Sequence, residues 1–99
     1  MKTIALLCGA GMSTSLLATR MQHAADEAGF EAIVKAYPVA DAYKHADDSD
    51  IILLGPQVRF QKEKIESQVS CPVLAIPITL YGTMNGAAVF QMVKEALGE

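Results

Sequence analysis

Four short apolar runs punctuate the chain, and helical periodicity fills the gaps between them. Thr3 to Leu7 shows no polar alternation, which suits a strand buried on both faces of a parallel sheet, and Gly9 and Gly11 stop it. Phe30 to Tyr37, carrying Ile33 and Val34, ends at Pro38. Ile51 to Leu54 is the most apolar segment and is bounded by Gly55 and Pro56, while Val73 to Ile76 closes at Pro77. Between the first two runs, Thr14 to Ala28 sets Leu17, Met21, Ala24 and Ala28 at spacings of three and four. Thr19, Gln22, His23, Asp26 and Glu27 fall on the other side, so an amphipathic helix ended by Gly29 is expected. Val39 to Ala46 reads as a short helix before a solvated acidic turn at Asp47, Asp48, Ser49 and Asp50. Val58, Ile65 and Val69 mark a third helix face. After a loop containing Tyr81, Gly82 and Thr83, the residues Val89, Phe90, Val93 and Leu97 mark a fourth, stopped by Gly98.

Strands alternating with helices of this length call for a parallel sheet, and right-handed crossovers put helices on both of its faces. The expected fold is therefore α/β, a doubly wound domain with a four-stranded parallel sheet in the order 2-1-3-4. That order sets strands 1 and 3 side by side and makes their carboxyl ends the switch point where ligands bind. A chain of 99 residues without linker or repeat closes around one core, so residues 1–99 are expected to be a single domain.

Composition removes several function classes. The 8 Lys and Arg against 11 Asp and Glu give a net charge of −3, and no face or tail gathers basic residues as nucleic acid or anionic lipid requires. Lys2 followed by Ile4, Ala5, Leu6, Leu7 and Cys8 imitates a secretory signal, but the apolar stretch ends at Gly9 and Leu7 stands where a small residue should precede a processed cysteine. No apolar run approaches the roughly 20 residues of a membrane span, and a cytoplasmic chain is expected.

The chemistry concentrates in Cys8-Gly9-Ala10-Gly11-Met12-Ser13-Thr14-Ser15, which joins the first strand to the first helix. Glycines let the backbone turn tightly and approach a ligand, successive N–H groups form an anion-binding nest, and a helix start adds a positive dipole end. Ser13, Thr14 and Ser15 supply capping hydroxyls and further donors. The same N–H groups favour a thiolate at Cys8, so nucleophile and oxyanion cradle coincide. A dinucleotide fingerprint wants a third glycine where Thr14 stands, and a nucleotide P-loop wants a lysine that is missing between Thr3 and Val34. A cysteine phosphatase of the Cys-x5-Arg type would need arginine at Thr14. That missing cation argues against a low-molecular-weight phosphatase or arsenate-reductase-like enzyme, which is kept as the alternative beside a non-catalytic anion-binding module with Cys8 inert. A loop that can seat phosphate but has no cation to drive hydrolysis best suits a carrier.

Over essentially its whole length the chain resembles the IIB subunit of the lactose/cellobiose (chitobiose) class in the bacterial sugar phosphotransferase system. The resemblance rests on the run from Ile4 to Ser15 and, more weakly, on Leu53-Leu54-Gly55-Pro56-Gln57. It implies that Cys8 accepts a phosphoryl group from a phosphohistidine on the IIA subunit and passes it to a sugar bound by the membrane-embedded IIC subunit. It implies too that the backbone of Gly9, Ala10, Gly11, Met12, Ser13, Thr14 and Ser15 wraps the phosphate, that the sugar is a β-linked disaccharide, and that the chain meets the inner face of the membrane only through IIC. No cofactor and no metal are expected.

The remaining candidates read as ordinary structure. Cys71 enters the fourth strand while Cys8 leaves the first, about 15 Å or more away, so no disulfide joins them and Cys71 is a packing residue. His23 and His45 lie away from Cys8. Gln57, Val58 and Arg59 after the third strand, with Tyr81 and Thr83 after the fourth, can border the loop but are expected to serve turns and caps. Phe60 lies off the helical stripe, as a docking or a partly buried residue.

Overall fold

In the computed structural model the described residues are 1–9, 12–45 and 48–99. Four parallel strands, β1 (Lys2–Cys8), β2 (Ala32–Pro38), β3 (Ile51–Leu54) and β4 (Val73–Ala75), form one sheet in the order β2-β1-β3-β4. The helices are α1 (Met12–Glu27), α2 (Ala42–His45), α3 (Lys62–Glu66), α4 (Ile78–Gly82) and α5 (Gly86–Ala96). The α/β fold and strand order expected from the sequence are those observed.

The side-chain period of two in a strand divides the core in two. Ile4 and Leu6 of β1, with Ile51 and Leu53 of β3, face Leu17, Met21 and Ala25 of α1 and Val89, Phe90 and Val93 of α5. Ala5 and Leu7, with Ile52 and Leu54, face Ala42, Val58 and Ile65 on the other side. Every residue from Ile4 to Leu7 and from Ile51 to Leu54 is buried, which explains why neither run alternates.

Several elements differ in detail from expectation. α1 begins at Met12, and its buried stripe runs through Leu17, Ala18, Met21 and Ala25, leaving Ala28 exposed. Its end is closed by Gly29 at φ 69°, where Gly29 N–H donates to Asp26 O and Phe30 N–H to Ala25 O at 3.1 and 2.9 Å, the paired bonds of a left-handed C-cap. The third helix is split: a 3-10 turn over Pro56–Gln61, with proline at its start, precedes the five-residue α3 (Lys62–Glu66). Val58 and Ile65 are still buried and Val69 half-buried, so the face was right although the helix was not continuous. Likewise a 3-10 turn at Val39–Asp41 leads into α2.

The loop expected around Tyr81 is instead helix α4, started by Pro77, whose carbonyl accepts from Tyr81 N–H at 3.0 Å. Of the acidic turn, Asp47 lies outside the described residues, Asp48 is exposed, and Ser49 and Asp50 are half-buried. Asp50 Oδ2 accepts from Thr3 N–H at 2.7 Å and Asp50 N–H donates to Thr3 O at 2.8 Å, which ties the start of β3 to β1.

Candidate active site

Cys8 is the last residue of β1, and β1 lies between β2 and β3, with Cys8 paired to Pro38 and Leu7 to Leu54. Beyond the sheet the two connections part: β1 leads to α1 on one face and β3 leads to the 3-10 turn carrying Val58 on the other. The switch point expected at the carboxyl ends of strands 1 and 3 thus falls beside Cys8. Cys8 is only 3% exposed, so little of it meets solvent.

Gly55 shapes the floor beside it. Its N–H donates to Leu7 O at 2.9 Å, locking the end of β3 to the end of β1. A Cβ at Gly55 would stand 3.0 Å from Gln57 Oε1, 3.5 Å from Cys8 Cβ and 3.5 Å from Tyr81 Cε2. Three side chains from three elements thus converge on a position that carries none. Gly9 is exposed, and among the described residues a Cβ there would meet only Val58 Cγ1, at 4.0 Å.

The other loop residues divide. Ala10 and Gly11 lie outside the described residues, and so do the side chains of Met12 and Ser13. Ser15 is exposed in the first turn of α1, where its carbonyl accepts from Thr19 Oγ1 at 3.1 Å. Thr14 is 0% exposed, and its Oγ1 lies 3.1 Å from the Tyr81 hydroxyl in a buried hydrogen bond. Its side chain is thus turned inward rather than offered to a ligand, and only its backbone remains for that purpose.

Outside the loop, Gln57 and Tyr81 adjoin Cys8 across Gly55, and Val58 packs beneath Gly9. Tyr81 keeps the turn-and-cap role expected of it, its carbonyl accepting from Met84 N–H at 3.1 Å, and it is in addition buried and bonded to the first turn of α1. No periodicity or spacing in the sequence signals that bond, because its partners are 67 residues apart. Thr83 does serve a turn, donating to Thr79 O at 2.8 Å. His23 is exposed on α1, 3.3 Å from Glu27, while His45's side chain lies outside the described residues. Cys71 is half-buried against the second core face, and burial pushes its thiol up; Asp50 adds in the same direction and a backbone hydrogen bond opposes.

Comparison with known proteins shows the family to which this fold belongs. The family model described as the lactose/cellobiose-specific IIB subunit of the PTS system matches residues 3–92. The chain belongs to the lactose/cellobiose-specific IIB family. It is 41% identical over 93 residues to the galactose-specific EIIB component of Lactococcus lactis subsp. cremoris, covering 86% of each chain. It is 40% identical over 93 residues to the cellobiose-specific EIIB component of Lactococcus lactis subsp. lactis, with 86% of each covered. The solution structure of a cellobiose-specific phosphotransferase IIB component from Borrelia burgdorferi superposes with a TM-score of 0.78 at 37% identity, covering 96% of this chain and 90% of that one. As a IIB component the chain is a sugar-transport phosphotransferase, of a kind that works with IIA and IIC partners. Among the described residues no helix is long and apolar enough to cross a membrane.

Proposed function

We propose that Cys8 is the phosphoryl carrier of this IIB component. The supporting observation is its position as the final residue of the central strand, at the switch point and directly ahead of the segment leading into the 16-residue helix α1. The N–H groups at that helix start lack intrahelical acceptors and carry the positive end of the dipole, so they suit the equatorial oxygens of a transferring phosphoryl group. The backbone of Gly9, Ala10, Gly11, Met12, Ser13, Thr14 and Ser15 supplies the cradle.

Two displacements make up the relay. The Cys8 thiolate attacks phosphorus on the IIA phosphohistidine, an S–P bond forms as the N–P bond breaks, and the leaving imidazole takes a proton. A sugar hydroxyl held by membrane-embedded IIC then attacks the same phosphorus. An O–P bond forms, the S–P bond breaks, Cys8 leaves as thiolate, and the hydroxyl proton passes to a base. With Cys8 nearly buried, each partner must seat itself against the carboxyl ends of the strands, which favours protein donors over free phosphate compounds. Residues 1–99 act as one cytoplasmic domain that reaches the membrane only through IIC. The sugar is a β-linked disaccharide such as cellobiose, chitobiose or lactose.

The test is incubation with phosphorylated IIA of the lactose/cellobiose class, followed by mass spectrometry. One added phosphoryl group on Cys8, absent from Cys8→Ser, is expected. No label in the presence of a IIA shown to be active sinks the proposal.

A further inference from the structure

We infer that Tyr81 is a positioning residue for phosphoryl transfer, acting through Thr14 on the first turn of α1. The inference rests on the reading of Cys8 as acceptor. Thr14 is the third residue of α1, so its N–H is among the four that no helical carbonyl accepts. Those donors hold phosphate well only if the turn bearing them is fixed relative to the nucleophile, because misplacement by about 1 Å in such a reaction can cost about a hundredfold in rate.

Tyr81 supplies that reference. Its hydroxyl meets Thr14 Oγ1 at 3.1 Å in a site that solvent does not reach. Its ring edge rests over Gly55, the position that also abuts Cys8 Cβ. Its own backbone is held by the Pro77 carbonyl at 3.0 Å. One aromatic side chain therefore gauges the start of α1 against the end of β3, with the nucleophile alongside. Glycine at 55 permits this, since any side chain there would enter the space shared by Gln57, Cys8 and Tyr81. Among the described residues no buried side-chain nitrogen or oxygen lacks a partner, and the Thr14 hydroxyl has Tyr81 as its partner. Removing the tyrosine hydroxyl alone leaves that buried group to seek another partner and turns the helix start with it.

The test is a double-mutant cycle read by rapid-quench labelling of Cys8 from phosphorylated IIA at varied donor concentration. Tyr81→Phe keeps the ring and should lower the maximal labelling rate about tenfold, the rate equivalent of one misplaced hydrogen bond. The half-saturating donor concentration should not change, because donor docking is untouched. Thr14→Val should do the same. The double variant should be no slower than either single, since the two hydroxyls act as one contact. Tyr81→Phe labelling at the wild-type rate, losses that multiply in the double variant, or a loss that follows the unfolded fraction in urea would each overturn the inference. Wild-type protein that takes no label at Cys8 overturns the carrier reading itself and this inference with it, an outcome distinct from labelled wild type with an indifferent Tyr81→Phe.

Discussion

Cys8 and Cys71 share a side chain and differ in what ends beside them. Cys8 closes the central strand at the carboxyl edge, whereas Cys71 precedes β4 at the opposite edge and packs half-buried against the core face of Ala5, Leu7 and Ile52. Burial raises the Cys71 thiol above its ordinary value of 9.0, with Asp50 contributing in the same sense. A group whose folded value is raised gives stability that is complete below the unfolded value and lost as pH climbs through the folded one. Wild-type protein should therefore lose stability between neutral pH and the alkaline side of 9.0 more steeply than Cys71→Ala. Urea titrations across that range check it, and parallel curves would contradict it. The packing role of Cys71 could be read from its place at a strand start. The inward turn of Thr14 could not, because a hydroxyl in the first turn of a helix looks the same in sequence whether it caps, binds a ligand or reaches a distant tyrosine.

Helices α1 and α5 show what an element acquires only from its neighbour. α5 begins behind Asn85, whose Oδ1 accepts from Ala88 N–H at 3.1 Å, an N-cap that a sequence can suggest. Gly86 follows, and its reason is invisible locally. A Cβ there would lie 2.6 Å from Arg20 C and Cβ and 2.7 Å from Met21 N, so the two helices touch through backbone at this point. Gly86→Ala must push α5 off α1, and since the obstructing atoms include backbone no rotamer change relieves it. A loss of about 1–3 kcal/mol in urea unfolding is expected, the usual cost of overpacking. Stability within error of wild type would show that the helices can slide. The apolar faces of both helices were legible in the spacing of Leu17 and Met21 and of Val89, Phe90 and Val93. The length of α3 was not, because Pro56 and the 3-10 turn after it carry the same buried residues through a different helix.

At the scale of the whole molecule, an open sheet has two edges, and the longer one here is guarded. β2 is an edge strand of seven residues, and half of its backbone groups point away from β1. Gln22 of α1 reaches over that edge: its Oε1 accepts from Val34 N–H and its Nε2 donates to Ala32 O, both at 2.8 Å. The carboxamide takes the place that a neighbouring strand would occupy. Gln22→Leu should lose about 1–3 kcal/mol, two hydrogen bonds at about 0.5–1.5 each, and should self-associate through the uncovered edge. Sedimentation over a range of concentrations is the measurement, and a variant that sediments as wild type does would refute it.

The sequence alone determined the layer architecture, the strand order and the loop that carries Cys8. These follow from short-range patterns, buried runs of four or five residues and glycines at a strand end, which each stretch of chain states for itself. Tertiary structure decided the rest. Thr14 faces Tyr81, Gly55 leaves room for three side chains, Gly86 lets two helices meet, and Gln22 covers an edge, because each depends on which distant residue the fold delivers to within a few ångströms, and no local pattern encodes that.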